Sequence, residues 1–123
     1  MIIGIGVDIV KVDRITKNLE NKRFLDKIYT VNEQKYLEKR NFSPQTAAGI
    51  FAAKEAVSKA LGTGISGFNI IDIEVVKDKN DKPLIILYND AEKISKEKGI
   101  DKINISITHE KEYAVAFAVA DRY

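Results

Sequence analysis

The chain has 123 residues, a length that fits one compact domain, here taken as 1–123. Twenty Lys and Arg against 18 Asp and Glu leave a formal charge of +2, which excludes a polycation that wraps nucleic acid by bulk charge. A hydrophobic fraction of 45% with 31% charged residues excludes wholesale disorder, and zero cysteines exclude disulfides, thiolate zinc sites and cysteine nucleophiles.

The first twelve residues, MIIGIGVDIVKV, alternate as a strand does. Ile3, Ile5, Val7 and Ile9 share one face, expected to pack on the core; Gly4, Gly6, Asp8 and Val10 share the other. This start has neither the basic region nor the cleavage site of a signal peptide, and the longest apolar stretch falls short of the ~18 residues a span requires. A soluble, cytoplasmic protein with no membrane partner is therefore expected. Asp13 is placed to cap a short helix from Arg14 to about Leu19. Thr30-Val31-Asn32-Glu33 reads as a capping box opening a helix to about Arg40.

Residues 11–40 carry nine Lys and Arg against five Asp and Glu, while the rest of the chain carries 11 against 13. The basic excess, Lys11, Arg14, Lys17, Lys22, Arg23 and Lys27 among it, is either a solvated helical face or a docking surface. Aromatic residues at stacking spacing are missing from this stretch, against an RNA-binding role.

Ser43-Pro44 is the clearest helix start, a hydroxyl cap followed by proline at the first helical position. The helix through QTAAGIFAAKEAVSKAL ends at Gly62-Thr63-Gly64 and, at ~1.5 Å per residue, is about 27 Å long. Its alanines predict close packing. After Gly67 the pattern turns to strands: 69–77 and 83–88 flank a hairpin loop at 78–82. Asn89-Asp90-Ala91-Glu92 then caps a helix ending at Gly99, and strands 102–109 and 113–121 close the chain. In the last strand Tyr113, Val115, Phe117 and Val119 alternate with four alanines, which predicts two covered faces, one of them tight. The fold class expected is α+β, with a mainly antiparallel sheet packed on a long central helix, because both hairpins make their strands antiparallel.

Asp8 is anomalous inside an apolar strand, since an unpartnered carboxylate is costly to bury. It reads either as a metal ligand or as a strand-end aspartate bonded to loop amides or paired with a lysine. Glu55 and Lys59 form an i,i+4 pair, ordinary on an exposed face, yet they sit in an alanine-lined segment that should be packed. Magnesium takes one or two carboxylates with water and substrate phosphates, and Asp8 with Glu55 would meet that need if helix and strand cross. Gly62-Thr63-Gly64 is either a plain helix stop or a loop whose amides approach an anion; it lacks the order of a P-loop. His109, the only histidine, lies on the apolar face of its strand and reads most simply as a core-edge residue. One histidine and no cysteine exclude a His-rich zinc site.

Taken together, Gly6-Val7-Asp8-Ile9-Val10, Phe51-Ala52-Ala53-Lys54-Glu55-Ala56, Lys59-Ala60-Leu61-Gly62-Thr63-Gly64, Asp72-Ile73-Glu74-Val75 and Ser106-Ile107-Thr108-His109-Glu110 resemble the holo-[acyl-carrier-protein] synthases. These are the small bacterial type of 4′-phosphopantetheinyl transferase, and the resemblance runs from residue 2 to about 120. It implies transfer of the phosphopantetheine arm of coenzyme A to a serine of apo-acyl carrier protein, releasing adenosine 3′,5′-bisphosphate, in support of fatty acid biosynthesis. Under it, Asp8 and Glu55 fall on the magnesium-binding carboxylates. Lys59 falls on the lysine that faces the pyrophosphate and can protonate the leaving group. Lys54, Lys59, Gly62, Thr63, Gly64, Thr108 and His109 fall on the coenzyme A side of the site. Glu55, through a bound water, is expected to take the serine proton in preference to Glu33.

The resemblance further implies a homotrimer with sites between subunits, in which Asp8 and Thr108-His109 of one chain meet Glu55 of another. Carrier proteins are acidic, so the basic stretch becomes the expected docking surface, with Arg14 and Arg23 foremost. Ile50 stands where the family often has arginine, and Asp81-Lys82-Pro83 where Gly-Lys-Pro is common. Ile50 is the one feature that favours a non-catalytic binding module on the same fold.

Overall fold

A computed structural model describes residues 1–123. In chain order the elements are β1 (Ile2–Lys11), α1 (Val12–Thr16), α2 (Lys22–Ile28), α3 (Val31–Lys39), α4 (Pro44–Ala60), β2 (Ile73–Lys77), β3 (Pro83–Leu87), α5 (Asn89–Glu97), β4 (Lys102–His109) and β5 (Tyr113–Asp121). Three strands form an antiparallel sheet in the order β1-β5-β4, and the β2-β3 hairpin forms a second sheet. The fold is α+β, antiparallel throughout, with α4 lying across the three-stranded sheet.

Two of the predicted helix starts hold. The Thr30 hydroxyl accepts from Glu33 N at 3.2 Å while Glu33 Oε1 accepts from Thr30 N at 2.9 Å, which opens α3. Ser43 Oγ accepts from Thr46 N at 3.4 Å, and Pro44 begins α4. Gly62 and Gly64 adopt φ of +87° and +59°, so the helix stops where glycine makes left-handed backbone cheap.

The facing of β1 is the reverse of expectation. Ile5, Val7 and Ile9 are 54–62% exposed, and it is the Gly4, Gly6, Asp8 face that meets α4. The reason is distance. A Cβ on Gly4 would lie 2.0 Å from Ala60 O, and one on Gly6 2.0 Å from Ala56 O. Hydrophobic alternation marks the greasier face, but here backbone contact decides which face is covered. β5 continues the seam: Ala114, Ala116, Ala118 and Ala120 are wholly buried, whereas Phe117 opposite is 44% exposed. Only the alanine face is covered within one chain, not both. Gly6→Ala is therefore expected to lower stability by about 2–4 kcal/mol, since the blocking atom is helix backbone, and thermal unfolding would measure it.

Smaller corrections have local causes. α1 starts at Val12 without a side-chain cap, and Asp13 stands in its first turn instead of before it. α2, which no pattern announced, is seven residues long and is capped by Asn21, whose side chain accepts from Phe24 N. Residues 70–72 make one 3₁₀ turn before β2, because Asp72 accepts from Asn69 N and from the Asn89 side chain. Asn89 is thus engaged elsewhere, and Tyr88 occupies the cap of α5.

Candidate active site

The glycine seam determines where the chemistry sits. α4 runs antiparallel to β1 along it, so that Gly4 meets Ala60 and Gly6 meets Ala56, while the long Lys59 side chain, whose Cβ lies beside Gly6, reaches forward to Asp8, the next residue on that face. Lys59 Nζ lies 3.1 Å from Asp8 Oδ1 and donates to Val7 O at 2.9 Å. Glu55, one turn back on α4, shares this place: burial pushes its carboxyl up, Asp8's negative charge pushes it further, and Lys59 and Arg14 draw it down. Arg14 comes from α1, its guanidinium 5.7 Å from the centre of the Phe51 ring.

Asp8, Glu55 and Lys59 therefore converge within one chain, contrary to the expectation that Asp8 meets a neighbour's Glu55. Two hard carboxylates, partly open to solvent and near enough for the charge of Asp8 to act on Glu55, are a donor set that suits a magnesium ion. No group of three or more His, Cys, Asp or Glu side chains is arranged to hold a metal ion, so water and substrate oxygens would complete the coordination. Asp8→Asn removes the charge that raises Glu55. In the metal-free protein the Glu55 carboxyl is expected to titrate at lower pH in that variant, followed by carboxyl carbon NMR.

Thr108 and His109 stand apart from this cluster. They end β4, two strands from β1, roughly 10 Å across the sheet. Thr108 faces away from α4. His109 shares the α4 face with Ile107 as counted, yet it is exposed and lines a small recess with Tyr36, Arg40, Thr46, Ile50 and Lys77. Arg40 stands over the Tyr36 ring at 5.0 Å, and Lys77 stands 5.9 Å from the same ring. Nothing in the pattern around Arg40 or Lys77 points to this gathering, because each comes from a different element. A hollow of about 530 Å³ opens between β3, α5 and β4 and contains none of Asp8, Glu55 or Lys59.

The Gly62-Thr63-Gly64 turn follows α4 on the side of Lys59 and is held by Gly64 N donating to Ser58 O at 3.1 Å. Lys98, just past the end of α5, donates to Leu61 O at 2.5 Å, a contact no sequence motif announces. Lys54, expected among the coenzyme A contacts, has instead a side chain that is 0% exposed and paired with Glu33 at 2.5 Å, out of reach of any substrate. The same burial removes Glu33 as a base for the serine, since its two oxygens are taken by Lys54, Thr30 N and Val75 N.

Comparison with known proteins shows the family of the chain. The family model described as 4′-phosphopantetheinyl transferase superfamily matches residues 4–118. A holo-[acyl-carrier-protein] synthase of Alkaliphilus metalliredigens is 50% identical over 121 residues, covering 98% of this chain and 99% of that protein. The crystal structure of the Neisseria meningitidis holo-[acyl-carrier-protein] synthase superposes with a TM-score of 0.90 at 34% identity, over 99% of this chain and 100% of that one. The Bacillus anthracis synthase, solved in complex with coenzyme A (3′,5′-ADP), has a TM-score of 0.82 at 38% identity, over 100% and 99%. The chain belongs to the 4′-phosphopantetheinyl transferase superfamily and is, within it, an enzyme of the holo-[acyl-carrier-protein] synthase type.

Proposed function

We propose that this protein, acting as one domain, moves the 4′-phosphopantetheine group of coenzyme A onto a serine of apo-acyl carrier protein, in support of fatty acid biosynthesis. The observation that carries the reading is the convergence of Asp8, Glu55 and Lys59 at the open end of an otherwise apolar helix–strand seam. In the reaction the serine oxygen forms a bond to phosphorus and the pyrophosphate bond breaks, freeing adenosine 3′,5′-bisphosphate. Such a transfer requires charge neutralisation and alignment more than covalent help. Lys59 brings an ammonium, half exposed at 49%, to where the leaving phosphate takes up charge. Asp8 and Glu55 would hold magnesium, which when bound offsets phosphate charge. Glu55, its proton affinity raised by burial, is placed to accept the serine proton through water.

The protein is further read as a cytoplasmic homotrimer. Support comes from the outer face of β1 and β5, where Ile5, Val7, Ile9 and Phe117 lie exposed side by side. Assembly through that face would let the Thr108-His109 end of β4 in one subunit complete the cluster of Asp8, Glu55 and Lys59 in another. Coenzyme A then spans two chains, its pyrophosphate beside Lys59 and the Gly62-Thr63-Gly64 turn. No helix of the chain is long and apolar enough to cross a membrane.

Docking of the acidic carrier protein is assigned to the exposed basic residues of α1 and α2. Arg23→Glu is expected to raise KM for carrier protein about fivefold while KM for coenzyme A holds. Arg14→Glu, seated by Phe51 and within the field of Glu55, is expected to raise the same KM and lower kcat as well. Steady-state kinetics separates the two, and unchanged constants in both variants would return the surface to plain solvation. The reaction itself is tested by incubating the protein with coenzyme A, magnesium and apo-carrier protein and reading intact mass. A gain of one phosphopantetheine on the carrier supports the proposal. Retained coenzyme A binding without that gain would favour a binding module instead.

A further inference from the structure

Lys54 is the one charged side chain of α4 that is wholly buried, and no step described above uses it. Its ammonium donates to Ile28 O at 2.5 Å and pairs with Glu33 Oε1 at 2.5 Å. Glu33 Oε1 also accepts from Thr30 N, and Glu33 Oε2 accepts from Val75 N at 2.7 Å. From there Thr30 Oγ1 donates to Glu74 Oε2 at 2.5 Å, and Tyr88 donates to Glu74 Oε1 at 2.7 Å. One ammonium and two carboxylates thus tie α4 to the end of α2, the start of α3, β2 and the approach to α5. No buried side-chain polar atom is left without a partner.

Stability does not require such a network, because apolar side chains of equal volume commonly replace a buried ion pair without loss. What it supplies is direction. On its sheet side α4 meets β1 through Ala56 and Ala60 against Gly4 and Gly6, surfaces that permit close approach but give few ridges to resist roll or slide. Neighbouring residues on a helix point about 100° apart. Lys54 anchored toward α2 and α3 therefore turns Glu55 toward β1 and carries Lys59 with it.

We propose that Lys54, held by Ile28 O and Glu33, is a positioning residue that sets the roll of α4 and so keeps Glu55 and Lys59 against Asp8. This rests on the reading of those three residues as the working site. The test compares Lys54→Met, in which Glu33, already raised by burial, takes up a proton, with Lys54→Met/Glu33→Gln, in which neither charge remains. Three readouts are taken: thermal unfolding, kcat and KM for both substrates, and binding of Mn²⁺ alone to the substrate-free protein by water-proton relaxation. In whichever variant unfolds cooperatively, kcat is expected to fall roughly 30-fold and Mn²⁺ affinity at least about fivefold, with KM for carrier protein within about twofold. Wild-type kcat and Mn²⁺ affinity in a folded variant would overturn the proposal. Failure of both variants to fold would also overturn it, making Lys54 a folding residue. A wild-type protein that transfers nothing would instead sink the assigned reaction, and the Mn²⁺ comparison would still decide the role of Lys54.

Discussion

Replacing Glu55 with glutamine is expected to reduce phosphopantetheine transfer by about 10³-fold or more while leaving the protein folded. Glutamine has the shape of glutamate, so packing on α4 is kept, but the second carboxylate for magnesium and the acceptor for the serine proton are gone. Stability should move the other way. Burial and Asp8 raise the Glu55 carboxyl above its ordinary value, so the folded chain binds that proton more tightly than the unfolded chain does. Between the ordinary and the raised value, stability falls as pH rises, and above both the full cost of the ionised group remains. Glutamine removes that cost, so at neutral pH the variant should unfold at the wild-type temperature or above it. A site residue that is unfavourable for the fold is the usual mark of function held against stability. Asp8→Ala should lose as much activity, but without the stability gain, because it strips Lys59 of its partner. Intact-mass assay and thermal unfolding on the same preparations read both effects; full turnover in both variants would remove the proposed metal site.

The second large effect concerns the outer sheet face. Val7 and Phe117 are directly paired across β1 and β5, 54% and 44% exposed in the single chain. Val7→Asp places a carboxylate in the middle of that apolar face without touching the buried alanine side. The chain should therefore keep its fold by circular dichroism, sediment as a monomer, and lose at least about 100-fold in transfer rate. The loss follows because Asp8, Glu55 and Lys59 would be parted from the Thr108-His109 strand of a neighbour. A Val7→Asp protein that remains assembled, or a monomer with full turnover, would refute the shared-site arrangement.

Much of this was legible from residue order. The capping box at Thr30, the Ser43-Pro44 start, the glycine stop at Gly62 and both final strands follow from local chemistry, and local chemistry is what a sequence displays. The reversed facing of β1 was not legible, because its cause is a helix 50 residues later in the chain, packed so close that a Cβ on Gly6 would lie 2.0 Å from Ala56 O. Lys54 and Glu55 show the same limit side by side. Both are charged residues in an alanine-rich helix, and only the contact with Glu33 from α3 sends one inward and leaves the other at the working surface. The recess around His109 was hidden likewise, since only tertiary packing brings Lys77 of β2 and His109 of β4 to Tyr36 and Arg40, which are neighbours at the end of α3.

The glycine seam also restricts how this protein could be re-engineered. Trading glycine for alanine is a standard route to a sturdier protein, since it stiffens the unfolded chain. At Gly4 and Gly6 that route is closed, for the methyl group would meet a helix carbonyl. Any variant selected for heat tolerance should therefore keep both glycines and accumulate its changes on the surface helices. A library randomised at positions 4 and 6 should return almost nothing but the parental residues.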